Sequence, residues 1–158
     1  MTPPIAVEGR SRADYLMHCE RVIESVGWIV QSAEGRASDF GWCHTVGLAR
    51  LGHPELVIAG LPAEIATELL NTVASDVVAA TKSLSAGDEL GDVAPMPLRV
   101  VAIDPAYLDE RFAVARDIEE DEFAEHGAFQ LVWPDAGGLF PWEGGSECPT
   151  QGQWGLGG

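Results

Sequence analysis

The chain has 158 residues, 46% of them hydrophobic and 22% charged, which is enough apolar content for one folded domain burying about 70% of its unfolded surface and too much for a disordered one. Its formal net charge is −16, with Lys82 the only lysine and the arginines scattered. A field of that sign repels phosphate backbones and anionic lipid, so neither nucleic acid nor a membrane surface is an expected partner.

Cys19, Cys43 and Cys148 are odd in number and show no short-range spacing, unlike a disulfide framework or a paired-cysteine metal site. No apolar stretch follows a basic start, and none approaches the ~20 residues of a membrane helix. A reducing, cytoplasmic setting is the expectation.

In chain order, residues 1–10 are proline-rich and expected to be loose, and residues 11–158 to form one α+β domain with a Gly/Trp-rich tail. Ser11 and Asp14 make a Ser-x-x-Asp helix start. Leu16, Cys19, Ile23 and Val26 then recur at three- and four-residue steps, and Gly27 is placed to end the helix. Strands are predicted at Trp28 to Ser32, Trp42 to Leu48 and Glu55 to Ala59, the last short, apolar and β-branched as a buried strand should be. Pro62 suits the first position of a second helix, whose stripe is Leu70, Val73, Val77, Ala80 and Leu84 and which should stop near Gly87. Ser85 to Pro97 reads as a loop and Leu98 to Ile103 as a strand. Asp104-Pro105 opens a third helix, with Leu108, Phe112 and Ala115 on its buried face. Ala128 to Trp133 is the last strand. About five strands and three helices, not regularly alternating, point to a mainly antiparallel sheet with helices packed on it.

Polar residues gather in three segments, GWCHTVGL, HPELVIAGLP and FQLVWPDAGGLFPWE. Two tempting chemistries fail. His18-Cys19 together with Trp133-Pro134-Asp135 suggests a tyrosine phosphatase, but the arginine that must clamp phosphate six residues after the cysteine is Ser25. Cys19 also lies on an apolar helical stripe, the setting of a buried structural thiol. Cys43 and His44 are adjacent on a strand, so their side chains diverge to opposite faces and no thiolate–imidazole pair forms.

His44, His53, Glu55 and Asp135 are the candidate acid–base residues. Trp42, Thr45, Gln130, Trp133, Trp142 and Glu143 are the candidate ligand contacts. His44, His53 and Glu55 lack the spacing of a metal site, so no metal is expected. Gln130 needs a partner if buried. The cluster from Gln130 to Glu143 is read in two ways: a tryptophan-sealed hairpin, or a pocket wall with Asp135 or Glu143 as acid or base. The acid run Asp117 to Glu125 lacks the spacing and glycine of a calcium loop and reads as a solvated face. No phosphate loop, dinucleotide fingerprint, nucleophile elbow or zinc-protease motif occurs.

Taken in order, Gly27-Trp28 with Val30, His44-Thr45-Val46-Gly47-Leu48, His53-Pro54-Glu55-Leu56-Val57, Gly60-Leu61, Gln130 to Asp135 and Phe140-Pro141-Trp142 resemble a bacterial family, domain of unknown function 4262. The closing segment Gln151 to Gly155 departs from its pattern. The resemblance implies a small intracellular protein and that the three segments form one constellation; it carries no catalytic assignment. A small-molecule-binding or enzymatic domain is the leading expectation, with His44, His53, Glu55, Gln130 and Asp135 converging at one end of the sheet. A homodimerisation or interaction module acting through the tail is the alternative, and a flavin or nucleotide binder a further one; the cofactor, if any, is unknown.

Overall fold

The computed structural model describes residues 12–33, 42–79, 84–91, 97–103, 118, 121–134 and 140. The predicted third helix at 104–115, the tail beyond Phe140, and Asp135, Trp142 and Glu143 lie outside them, as does the helix-opening Ser11.

Among the described residues the strands are β1 (Ile29–Ala33), β2 (Trp42–Val46), β3 (Glu55–Ala59), β4 (Glu89–Leu90), β5 (Leu98–Ala102) and β6 (Ala128–Val132). They form one sheet in the order β1-β2-β3-β6-β5-β4. Every pairing is antiparallel except β3 with β6, which is parallel. The expected α+β class holds, with two corrections: the sheet is mixed and has six strands. The sixth, β4, lies in the stretch read as a loop. Two residues are too few to display alternation, and β4 owes its existence to its partner β5.

The long helices are α1 (Arg12–Val26) and α2 (Ala63–Val78); a short α3 (Asp121–His126) falls within the acid run, and a 3-10 turn (Leu48–Leu51) follows β2. No described helix is long and apolar enough to cross a membrane. Helix α2 buries Ala66, Leu70, Val73, Ala74 and Val77 against Cys43, Leu56, Ile58, Leu98, Val100 and Leu131 on one face of the sheet. It ends at Val78 rather than near Gly87. Leu70, Val73 and Val77, at about 1.5–3 kcal/mol each, supply most of what the helix contributes to this core, the larger of the two.

Helix α1 packs on the opposite face, where Ile23 joins Val46, Val57, Ala59, Ile103, Phe123 and Ala128. Cys19 and Ile23 are buried as the stripe predicts, but Val26 is 61% exposed. The helix stops there because Gly27, at φ 114°, turns the chain away while its N–H caps the Ile23 carbonyl at 2.7 Å. Trp28 ties the start of β1 to α2 through Nε1–H donated to Asn71 Oδ1 at 2.9 Å.

Candidate functional site

Two polar assemblies lie inside this frame, and the direction of β3 separates them. At its first residue, Glu55 is wholly buried. Its Oε1 accepts the Thr45 hydroxyl at 2.6 Å, and its Oε2 accepts the backbone N–H of Gly47 at 3.1 Å and of Ala49 at 3.0 Å. Those amides open the 3-10 turn, where N–H groups otherwise lack partners and favour negative charge. The Thr45 hydroxyl also accepts the Leu56 N–H at 2.9 Å, taking the place of a ladder bond between β2 and β3. The carboxylate therefore holds the end of β2, the turn and the start of β3 together.

Gly47 makes this possible. Its φ is 122°, and a Cβ there would stand 2.5 Å from the Gly27 carbonyl oxygen and 2.9 Å from Trp28 Cα. Nothing larger than glycine fits between the turn and the end of α1. Arg50, in the same turn, reinforces the junction through Nη2, 2.8 Å from Glu20 Oε1 on α1 and 3.1 Å from the Ile118 carbonyl.

The second assembly is a row across the middle of the sheet, on the face covered by α1. Gln31 pairs with His44, His44 with Val57, Val57 with Gln130, and Gln130 with Val101. Directly paired residues share a face, so Gln31 and His44 lie side by side there, and Gln130 lies in the same row on the far side of Val57. His44 and Gln130 are buried. Gln31 accepts hydrogen bonds from the Tyr15 hydroxyl and, at 3.8 Å, from Cys19 Sγ, both on α1. Burial first, and then the neighbouring Cys19, push the Tyr15 phenol up to about 12; burial likewise raises the Cys19 thiol.

Burial also lowers the His44 imidazole to about 4, against a weaker opposing effect from its hydrogen bond to Thr45. That bond joins Nδ1 to the Thr45 carbonyl oxygen at 3.2 Å. A carbonyl only accepts, so Nδ1 carries the proton and Nε2 of the neutral ring is an acceptor. Such a ring serves as a hydrogen-bond acceptor or a base at neutral pH.

The predicted candidates thus divide. Thr45 and Glu55 belong to the lock at the start of β3, and half-buried His53 precedes it, its N–H bonded to the Leu48 carbonyl at 3.0 Å. His44 and Gln130 lie mid-sheet. Trp42 and Trp133 lie at the other end of β3, where Trp42 pairs with Ala59 and Trp133 Nε1–H donates to the Ala59 carbonyl at 3.0 Å. Because β6 runs parallel to β3, its C-terminal end lies away from Glu55. The expected gathering of His53, Glu55, His44 and Gln130 at one end of the sheet is therefore not the arrangement found. Cys43 and His44 do diverge: Cys43 packs in the α2 core with Sγ 3.4 Å from Ser32 Oγ. Among the described residues, no three of His, Cys, Asp and Glu are grouped to hold a metal ion.

Gln31, Tyr15 and Arg99 escaped the sequence reading. Gln31 alternates with Ile29 on a predicted strand, a signal that it faces inward, but its partner His44 emerges only from the register. Arg99 pairs with Val132, beside Gln130, on the same face.

A family model described as a domain of unknown function, DUF4262, matches residues 22–147, a span that includes the lock, the polar row and Arg99. No curated protein and no solved structure matches the chain.

Proposed function

Since the chain belongs to the DUF4262 family, whose description assigns no activity, its chemistry has to be read from the site, and we propose that it is a small-molecule-binding domain whose recognition surface is the polar row Gln31, His44 and Gln130. The observation that carries this reading is the placement of three polar side chains in one line across the middle of a sheet, with apolar residues on either side along each strand. Apolar residues would pack there at no desolvation cost. A neutral imidazole and two amides read hydroxyl, amide or carbonyl groups of a ligand by hydrogen bonding. His44 is the group for proton transfer should a reaction occur; Glu55, saturated by three donors, is a structural carboxylate in this reading. Trp42, Trp133, Asp135, Trp142 and Glu143 remain proposed contacts around the row. The free thiols of Cys19 and Cys43 and the acidic composition support work in a bacterial cytoplasm.

Native mass spectrometry of the purified protein, paired with a thermal-shift screen of small metabolites, tests the reading. A bound molecule, or a compound that raises the melting temperature of the wild type and not of His44→Gln, supports it. If the wild type carries nothing and every compound that stabilises it stabilises His44→Gln equally, the row is not a binding surface.

A homodimer is the second reading, favoured by one observation: Val26 and Leu51 are 61% and 46% exposed, and Leu51 Cδ1 lies 3.7 Å from where a Gly27 side chain would begin. They form an apolar step at the end of α1. Sedimentation of Leu51→Glu against the wild type tests it; a wild-type monomer at high concentration ends it.

A further inference from the structure

Arg99 projects from β5 on the α1 side of the sheet, paired with Val132 and diagonal to Gln130. The ring of Phe140 lies over its guanidinium, 5.1 Å from centroid to Cζ, and Phe140 packs with Val101 and Val132. Glu89, half exposed on the edge strand, stands 3.6 Å from Nη2, too far for a good hydrogen bond and too wet for a strong ion pair. Nε is buried and makes no hydrogen bond. A buried, unsatisfied donor on a permanently charged group is rare in a folded protein and calls for a missing partner.

We infer that Arg99 anchors the carboxylate of a small monoanionic organic acid whose polar body is read by Gln130, the near end of the polar row. This rests on the binding-domain reading and adds the charge of the ligand. Nε and Nη2 are the two donors of the side-on fork with which a guanidinium grips a carboxylate in a bidentate manner. Glu89 reaches towards the Nη2 arm alone, so it competes with the ligand from the solvent side. Val101 and Val132 flank Arg99 on this face and carry the ring of Phe140, so the ligand's body would take the place beside them that the ring now holds. Phe140, stacked on the guanidinium, is the side chain that has to yield on entry. A dianion such as phosphate fits poorly: among the described residues Arg99 is the one cation shown on these rows, in a chain of net charge −16.

The full-length protein is titrated with benzoate and, separately, with its neutral amide, benzamide, following the arginine Nε–H signals and the glutamine side-chain amide signals by nitrogen-15 NMR, with Gln130→Met assigning Gln130. Arg99→Lys assigns the Arg99 signal, and Glu89→Gln provides a variant whose change is confined to an exposed edge. The expected result is a saturable shift of the Arg99 signal with benzoate and none with benzamide. Arg99→Lys weakens benzoate binding about tenfold or more, since a lysine cannot form the fork, and Glu89→Gln tightens it. If both compounds shift the Gln130 amide equally while the Arg99 signal stays still, Arg99 is not the anchor and the polar row survives as a site. If neither compound moves either residue, the inference falls and the binding-domain reading loses its support as well.

Discussion

Replacing Glu55 with glutamine asks whether that carboxylate is a lock or a reactive group. The carboxylate satisfies three donors: the Thr45 hydroxyl at 2.6 Å and the Gly47 and Ala49 amides at 3.1 and 3.0 Å. Glutamine offers one oxygen. With that oxygen turned to the two amides, its NH2 meets the Thr45 oxygen, which already accepts from Leu56, and the threonine proton loses its acceptor. One buried bond is lost and two charge-assisted bonds become neutral, partly offset by no longer burying a charge. The net cost is roughly 2–4 kcal/mol, a large share of the 5–15 kcal/mol typical of a domain. Thr45→Val removes one donor to the carboxylate and the acceptor of Leu56 N–H, for about 2–3 kcal/mol. The double variant should cost less than the sum by about 1–2 kcal/mol, because both changes break one shared bond. Urea unfolding followed by tryptophan fluorescence measures all three. A Glu55→Gln protein as stable as the wild type, or more so, would refute the lock and return Glu55 to the list of reactive groups, since catalytic carboxylates commonly cost stability.

Gly47→Ala should lower stability by more than about 3 kcal/mol or prevent folding, because its Cβ would meet the Gly27 carbonyl at 2.5 Å. Gly52→Ala, also at positive φ (88°) but with nothing within 4 Å, should cost only about 1–2 kcal/mol; equal melting temperatures for the two would contradict the close approach. The native His44 imidazole lies at about 4 against an ordinary 6.5, so between those values the unfolded chain binds a proton that the folded chain refuses. Stability is then full above pH ~6.5 and falls as the pH drops towards 4, by up to about 3 kcal/mol. His44→Gln should lack that component in unfolding curves taken from pH 7.5 to 4.5; superimposable slopes would count against it. Cys19 and Cys43, both buried, should resist alkylation in the native protein and react once it is unfolded.

Local pattern made much of this fold legible. The apolar stripe of α2 as far as Val77, the glycine that ends α1, and the alternation that sends Cys43 and His44 apart are all consequences of near neighbours in the chain, and each appears where the spacing puts it. What the pattern could not supply is pairing. Val57 has one partner from β2 and one from β6, and nothing in the β-branched run Glu55 to Ala59 says that its neighbour beyond β2 is a parallel strand from the far end of the chain. That pairing sets Gln130 two strands from His44, across Val57, and it sends Trp133 to the end of β3 remote from Glu55. Gly47 shows the same limit: it lies inside the stretch Trp42 to Leu48 that reads as a strand, whereas the strand ends at Val46 and the positive φ of Gly47 goes with its tertiary contact at the end of α1. Candidate residues were thus recognisable by type, and their grouping followed only from the sheet order.

The sign of a stability change separates the two assemblies. Around Glu55, donors and acceptors are matched within one tight turn, so removing the carboxylate strands partners and stability falls. The mid-sheet row sits where apolar side chains would serve as well, and buried polar groups replaced together by apolar ones of similar shape often leave stability unchanged or raised. His44→Leu with Gln130→Met should accordingly unfold within about 1 kcal/mol of the wild type at pH 7, while abolishing any ligand-dependent rise in melting temperature. Urea curves and a thermal-shift screen on that double variant read both quantities from the same sample. A loss beyond about 3 kcal/mol would mean that the row is a second structural network, and a ligand-dependent rise that persists would place recognition elsewhere.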